Sequence, residues 1–247
     1  MNLLNLKQGS AEWLQERIGR CTGSRVKDAL AVRKDKQPAA PRTNYLIAVV
    51  TERLKGDAVE HFVTQAMEWG IATEKYARAA YEIRTDNEVD RVGISAHATI
   101  EDFMASPDGF VGDDGVVEFK CPNSTTHVAW MIANVIPEEH RYQLLAELSC
   151  SGRQWVDFVS FDPRLPPRME MFIKRLERTY EVEVEISDME EGVNLFLSDV
   201  QLCIAKLYEM NPDLGVTAER MVTLPYDVTG GIDLSRLADE LAGQILQ

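Results

Sequence analysis

The segment MASPDGFVGDDGVVEFKCP, residues 104–122, decides the fold of this chain. Its central DDG is a strong hairpin turn signal, and the run VVEFK that follows alternates as a strand does. We therefore predict a β-hairpin. On its second strand Glu118 and Lys120 point one way, while Val117 and Phe119 face the core.

The hairpin brings together side chains that suit a metal ion. Asp108 lies at or just before the first strand, so its carboxylate can approach Glu118 across the ladder. Carboxylate oxygens are the ligands that Mg²⁺ prefers, and the backbone carbonyl of Phe119 could add a further ligand. Lys120 would lie beside the ion, able to orient an attacking hydroxide or to stabilise charge on phosphorus. The spacing alone leaves an alternative open, an exposed hairpin edge that carries Asp, Glu and Lys.

Several segments outside the hairpin follow a family pattern in order along the chain. Residues 9–24 match G-S-x-E-W-x-x-x-R-x-G-x-x-T-x-S. The further segments are EWG at 68–70 with Glu74 four residues on, SPDG at 106–109, EFKCP at 118–122, YQ at 142–143, GRQW at 152–155 and FDPR at 161–164. Together they resemble the lambda exonuclease family, the YqaJ-type viral recombinases, within the PD-(D/E)xK nuclease superfamily. The resemblance spans about residues 8–178.

The resemblance implies an active site built on the hairpin and on neighbouring helices. Its catalytic set would be Glu74, Asp108, Glu118, Lys120 and Gln143, with Asp108, Glu118 and the Phe119 carbonyl as metal ligands. Gln143 takes the first position of the family's Q-x-Q pair, but the second is Leu145, so which residue completes the site stays open. From spacing alone, Glu74 could equally form an i,i+4 ion pair with Arg78 on a solvated face.

The amino-terminal motif predicts a phosphate site. Ser10 is a typical N-cap for a helix that runs towards Ile18, and Thr22 or Ser24 could cap a second helix whose free N–H groups bind phosphate. The resemblance implies that the 5′-terminal phosphate of DNA is held by Arg17, Thr22, Ser24 and Ser106. The alternative is that the hydroxyls only cap helices and that Arg17 pairs with a nearby acid.

We expect a restriction-endonuclease-like α/β fold, a mixed central sheet flanked by helices, with a helical C-terminal extension. Residues 1–210 would form the exonuclease domain, and residues 211–247 the extension, packed on the core or on a neighbouring subunit. Periodicity and caps predict helices at 11–18, 25–30, 44–55, 71–83, 138–150, 169–180, 189–208 and 232–247, and a strand at 155–161.

The chain is acidic, with a formal net charge of −14, whereas proteins that hold nucleic acid usually present a basic surface. The charge is unevenly distributed: residues 1–55 hold 11 Lys/Arg against 5 Asp/Glu, a balance of +6, which leaves −20 for the remainder. The amino-terminal segment is therefore the expected phosphate-binding face.

The remaining composition places limits on other classes of protein. The four cysteines are scattered without a C-x-x-C pair, which argues against a zinc site, a disulfide framework or an iron–sulfur cluster. No apolar run reaches the roughly 20 residues of a membrane span, so we expect a soluble, cytoplasmic protein with no membrane partner. The resemblance adds that it is phage- or prophage-encoded.

The leading hypothesis is a Mg²⁺-dependent 5′-to-3′ exonuclease that resects linear double-stranded DNA to leave 3′ overhangs for recombination, with Mn²⁺ able to replace Mg²⁺. The resemblance implies a homotrimeric ring around DNA and a single-strand annealing protein as partner. Two alternatives stay open. One is an endonuclease or single-strand nuclease on the same core, and the other is a non-catalytic DNA-end-binding protein.

Overall fold

The computed structural model describes residues 2–59 and 64–211. In these ranges two mixed sheets are formed by β1 (Asn2–Leu4), β2 (Cys21–Thr22), β3 (Val89–Asp90), β4 (Ile94–Ala96), β5 (Phe103–Ala105), β6 (Gly109–Val111), β7 (Gly115–Lys120), β8 (Trp155–Phe161) and β9 (Met171–Glu177). The helices are α1 (Ala11–Arg17), α2 (Val26–Ala29), α3 (Ala40–Lys55), α4 (Gln65–Thr85), α5 (Ser124–Ala133), α6 (Glu138–Ser151) and α7 (Tyr180–Glu209). Among the helices of these two ranges, none is long and apolar enough to cross a membrane.

The predicted hairpin is confirmed, and its second strand, β7, lies at the centre of a sheet with the order β3-β6-β7-β8-β9. β7 pairs antiparallel with β6 and parallel with β8, from Gly115 opposite Trp155 to Lys120 opposite Ser160. A central strand has no free edge. The alternative of an exposed hairpin edge is therefore wrong.

Helices cover both faces of this sheet. Val117 and Phe119 pack with Ala77 and Tyr81 of α4 on one side. On the other side Val116 joins the larger core, to which α3, α6 and α7 contribute. The predicted alternation of β7 is confirmed, but the strand buries two apolar faces rather than one, because helices pack on both sides of the sheet.

The second sheet has the order β1-β4-β5-β2 and leads directly into the hairpin. β5 pairs parallel with β2 and antiparallel with β4. After β5 the chain passes through Ser106 and Pro107 to Asp108 and into β6. This sheet therefore places the amino-terminal motif beside the hairpin.

Most of the predicted helices are confirmed, with local features that fix their ends. The Ser10 hydroxyl accepts a hydrogen bond from the Trp13 N–H at 3.2 Å and caps α1. α3 and α6 end at Gly56 and Gly152, both with left-handed φ, near 70°. α3 begins at Ala40, earlier than predicted, because a proline in the first turn of a helix loses no hydrogen bond.

Three expectations about elements need correction or fall outside the described residues. The predicted helix at 169–180 is wrong: this segment is β9, which pairs antiparallel with β8 along its whole length. Neither Thr22 nor Ser24 caps a helix through its side chain, since residues 23–25 form a single 3-10 turn and Thr22 ends β2. The predicted helix at 232–247, and the extension from residue 212 onward, lie outside the described residues.

Candidate active site

The turn before β6 directs Asp108 back onto β7. One carboxylate oxygen of Asp108, Oδ2, accepts a hydrogen bond from the Phe119 N–H at 2.7 Å. The next residue is Gly109, where a Cβ atom would lie only 2.2 Å from Cγ1 of Val89. The close packing of this glycine therefore fixes where the Asp108 side chain leaves the backbone.

The two charged residues of β7 are joined by a third side chain. The Lys120 ammonium donates to Glu118 Oε1 at 2.6 Å and to Gln143 Oε1 at 3.0 Å. Gln143, from α6, donates its Nε2 to the same Glu118 oxygen at 2.5 Å. The structure thus brings Glu118, Lys120 and Gln143 into one hydrogen-bonded group, with Glu118 only 3% exposed.

Glu74 reaches this region through Arg78. The guanidinium of Arg78 donates from Nη2 to Glu74 Oε1 at 3.1 Å and to the backbone oxygen of Asp108 at 2.9 Å. The i,i+4 ion pair is therefore real, but it does not lie on a solvated face, since Arg78 is only 8% exposed. It fixes both Glu74 and the Asp108 backbone at the site.

Burial and neighbouring charges shift the pKa values of the ionisable groups at the site. Burial raises the pKa of the Asp108 carboxyl well above its usual value, and Glu118 and Glu74 raise it further. Burial also raises the pKa of Glu147, and repulsion from Glu118 and Asp108 raises it further. For Lys120 burial would lower the pKa, but the attraction of Glu118 and Asp108 outweighs it and the net pKa is raised. Buried carboxylates thus outnumber the ammonium group, and a divalent cation would balance them.

The residues present suit Mg²⁺. The second carboxylate oxygen of Glu118, Oε2, is buried and has no hydrogen-bond partner among the described residues. Among residues 2–59 and 64–211, no three His, Cys, Asp or Glu side chains lie close enough together to hold a metal ion by themselves. Mg²⁺, however, commonly takes one or two carboxylates and keeps several waters. Asp108 and Glu118 fit that pattern, and the Phe119 carbonyl stays a predicted third ligand.

A cavity of about 160 Å³ connects the amino-terminal motif to the hairpin. It is lined by Gln8, Trp13, Arg17, Gly23, Ser24, Ala105, Ser106, Asp108, Gln143 and Glu147. Arg17 donates to the Ser106 hydroxyl at 2.9 Å, and its guanidinium lies 4.2 Å from the centre of the Trp13 ring. Three of the four predicted phosphate ligands, Arg17, Ser24 and Ser106, therefore meet at one cavity with Asp108.

Thr22 is the predicted phosphate ligand that the cavity lining does not include. It is 5% exposed, and its backbone N–H donates to the Tyr45 hydroxyl at 3.1 Å. The prediction placed Thr22 at a helix end, whereas it ends a buried strand. Its position supports the 3-10 turn that carries Ser24.

Three residues at the site were missed by sequence reasoning. Arg78 was considered only as a surface partner of Glu74. Gln8 donates to the backbone oxygen of Pro107 at 2.8 Å and so supports the turn before Asp108. Glu147 lies one helical turn after Gln143 and accepts from its Nε2 at 3.1 Å. The i,i+4 spacing was the available signal for Glu147, but only the packing of α6 shows which face it occupies.

Comparison with known proteins identifies the family of the chain. The family profile for the YqaJ-like viral recombinase domain matches residues 12–154. A crystal structure of an alkaline exonuclease from Laribacter hongkongensis is 38% identical, with a TM-score of 0.76 over 83% of this chain and 100% of that one. The same exonuclease in complex with dAMP gives a TM-score of 0.75 at the same identity and coverage.

A more distant solved structure shares the fold alone. It is a phage-related exonuclease from Haemophilus somnus 129PT, 12% identical, with a TM-score of 0.54 over 78% of this chain and 96% of that one. No curated protein sequence matches the chain. The predicted fold class is confirmed by the structural similarity to the Laribacter hongkongensis exonuclease. On the profile match and the 38% identity, the chain belongs to the YqaJ-like viral recombinase domain family.

Proposed function

We propose that this protein is a Mg²⁺-dependent exonuclease that degrades linear double-stranded DNA from the 5′ end and leaves 3′ overhangs. Family membership supports the general activity, a DNA exonuclease. The proposed direction is supported by the position of Arg17 and Asp108, the proposed phosphate and metal ligands, which line the same cavity.

The observation that carries the direction is that Arg17 lacks a salt bridge among the described residues. Six arginines lie among residues 1–55, and five of them form ion pairs with Asp or Glu. Arg17 forms no ion pair with a described residue, and burial lowers its pKa. A half-buried guanidinium without a counter-ion is a strong site for a phosphate, which it can bind in bidentate fashion. A terminal phosphate held there would place the scissile bond at Asp108 and Glu118.

The residues of the site have separate tasks in the proposed reaction. A bound Mg²⁺ would supply a Lewis acid and an activated water. Asp108 and Glu118 would hold the ion. Lys120, fixed by Glu118 and Gln143, lies where it can neutralise charge that develops on the phosphoryl oxygens. Glu74, through Arg78, keeps the backbone of Asp108 in place.

The first experiment compares three substrates: linear duplex with a 5′-phosphate, linear duplex with a 5′-hydroxyl, and closed circular duplex. With Mg²⁺ we expect rapid loss of the phosphorylated linear duplex, slower loss of the hydroxyl form and intact circles, and with a chelator no cleavage. Lys120→Ala should abolish degradation. Cleavage of circles would favour the endonuclease alternative, and degradation unaffected by Lys120→Ala would refute the assigned site.

A second experiment tests the direction through Arg17. Arg17→Ala should reduce the preference for a 5′-phosphate by about 10- to 100-fold, the value of a hydrogen bond to a charged group. Arg20→Ala is the matched control, because Arg20 lies nearby but is already paired with Glu16 and Asp102. Equal preference in wild type and Arg17→Ala would contradict the proposed phosphate site.

The proposal extends to assembly and setting. We propose a homotrimeric ring around DNA, a single-strand annealing protein as partner, and a phage- or prophage-encoded protein that acts in the cytoplasm, with Mn²⁺ able to replace Mg²⁺. Sedimentation equilibrium tests the ring, because a trimer has three times the mass of one chain. Co-purification with a candidate annealing protein, followed by a nuclease assay, tests the partnership.

A further inference from the structure

Gln143 makes different contacts through the two ends of its amide group. Its carbonyl oxygen accepts from the Lys120 ammonium at 3.0 Å. Its nitrogen donates to Glu118 Oε1 at 2.5 Å and to Glu147 Oε1 at 3.1 Å. The amide therefore bridges the ammonium and two carboxylates, with each end facing a group of the complementary kind.

This arrangement allows only one orientation of the amide. If the group rotated by half a turn, its oxygen would face two carboxylates and its N–H groups would face the ammonium. The contacts with Lys120 and with Glu118 would then be repulsive, and buried donors and acceptors without partners are strongly unfavourable. The correct orientation of Gln143 is therefore a condition for holding Lys120 and Glu118 together.

Glu147 is placed to set that orientation. It lies four residues after Gln143 on α6, so the two side chains share one face of the helix. Its side chain is buried, 1% exposed, and lines the same cavity as Arg17 and Asp108. Leu145 is also buried, but in the main apolar core. The second position of the Q-x-Q pair thus cannot assist Gln143, and a carboxylate two residues further on contacts it instead.

We propose that Glu147 is a positioning residue, which fixes the amide of Gln143 so that Lys120 and Glu118 keep their places at the reaction centre. The inference rests on the proposed function, since it concerns the same site. Glu147 contacts Gln143 through Oε1, while its Oε2 is buried without a hydrogen-bond partner among the described residues, as is that of Glu118. In this proposal Glu147 acts through Gln143 and not by touching the metal or the DNA.

The test uses a pair of matched variants. Glu147→Gln keeps an oxygen at the position that accepts from Gln143, whereas Glu147→Leu keeps the volume and removes the acceptor. We expect Glu147→Gln to lower kcat by less than about fivefold. Glu147→Leu should lower kcat by about 10- to 100-fold, the usual cost of removing a residue that supports the ligands of a metal site, with KM for DNA ends little changed.

A double-mutant cycle separates this role from a general effect on folding. In a Gln143→Ala background, Glu147→Leu should add less than about twofold, because the residue through which it acts is gone. Full additivity of the two substitutions would refute the proposal. A Glu147→Gln variant as impaired as Glu147→Leu, with a raised Mg²⁺ requirement, would also refute it and would indicate a direct metal ligand.

The position of the Gln143 amide in crystal structures of the variants tests the role of Glu147 independently of nuclease activity. A crystal structure of Glu147→Leu should show the Gln143 amide displaced from its bridge between Lys120 and Glu118, while Glu147→Gln should retain the bridge. An unmoved amide in Glu147→Leu would overturn the inference even if the proposed nuclease activity were established. Failure of the wild-type protein to degrade any DNA would overturn the proposed function and leave this structural result to be judged by itself.

Discussion

Mild acid should destabilise this protein through His140, which lies on the face of α6 that contacts the central sheet. Its ring centre lies 5.4 Å from that of Trp130 and 5.3 Å from that of Phe158. Burial lowers its pKa from 6.5 to about 4, and the positive charges of Lys120 and Lys27 act in the same direction. The folded protein therefore holds this imidazole neutral at a pH where the unfolded chain protonates it.

One neighbouring group opposes this shift. The carboxylate of Glu139 lies 3.8 Å from the Nε2 atom of His140 and would favour the charged ring. The Glu139 side chain is 54% exposed, however, and an ion pair so open to solvent contributes little. Desolvation of the ring therefore decides the direction.

The magnitude follows from the two pKa values. Because the folded pKa is the lower one, the contribution to stability is fully present above pH 6.5 and is lost as the pH falls towards 4. Between about pH 7.5 and pH 5 the free energy of unfolding should fall by about 2 kcal/mol on account of this one ring. At about pH 4 the loss should reach about 3 kcal/mol.

Urea unfolding at several pH values measures this effect when wild type is compared with His140→Phe. The phenylalanine ring keeps the aromatic contacts and cannot titrate, so the difference between the two proteins should change by about 2 kcal/mol between about pH 7.5 and pH 5. Other titrating groups cancel in that difference. Glu139→Gln is the matched control and should keep the wild-type pH dependence. If His140→Phe loses as much stability on acidification as wild type, the reasoning about this ring is wrong.

Three further substitutions test the framework around the site. Tyr81→Phe removes a buried hydroxyl that donates to Asp157 at 2.7 Å, and should lower the free energy of unfolding in urea by about 1–3 kcal/mol. Gly109→Ala places a methyl group 2.2 Å from a valine side chain of β3, so it should displace Asp108 and lower both the melting temperature and the nuclease rate. Ser106→Ala removes the hydroxyl that accepts a hydrogen bond from the Arg17 guanidinium at 2.9 Å. In steady-state kinetics it should raise KM for 5′-phosphorylated ends severalfold and leave kcat little changed.

The part of the fold that the sequence predicted well depends on local signals. The hairpin turn, the alternation of β7 and the glycines that end α3 and α6 each act over a few residues. The contact between Glu118 and Lys120 also depends on a local pattern, because residues two apart on a strand share a face. A local pattern was therefore sufficient to locate the centre of the site.

The errors concern segments whose structure depends on distant partners. The segment 169–180 has apolar residues at spacings that suit a helix face, but pairing with β8 along the whole strand outweighs that preference. Thr22 is buried because β2 pairs with β5, some eighty residues away in sequence. The helix α5 is absent from the predicted set, and its His127 is fully buried, in contact with Ser160 and the backbone oxygen of Met169. None of these contacts leaves a signal in the segment itself.

The charge distribution illustrates the same difference between composition and structure. The surplus of basic residues in 1–55 suggested a broad positive face, but most of its arginines are neutralised by neighbouring acids, as Arg42 is by Asp199 and Arg53 by Asp102. Positive charge that is already paired attracts DNA weakly. Arg17 differs because it contacts a hydroxyl and an aromatic ring, neither of which carries a countercharge. An acidic chain can therefore bind a DNA end if one unpaired guanidinium lies beside the carboxylates proposed to hold the metal, since the position of that charge matters more than the total.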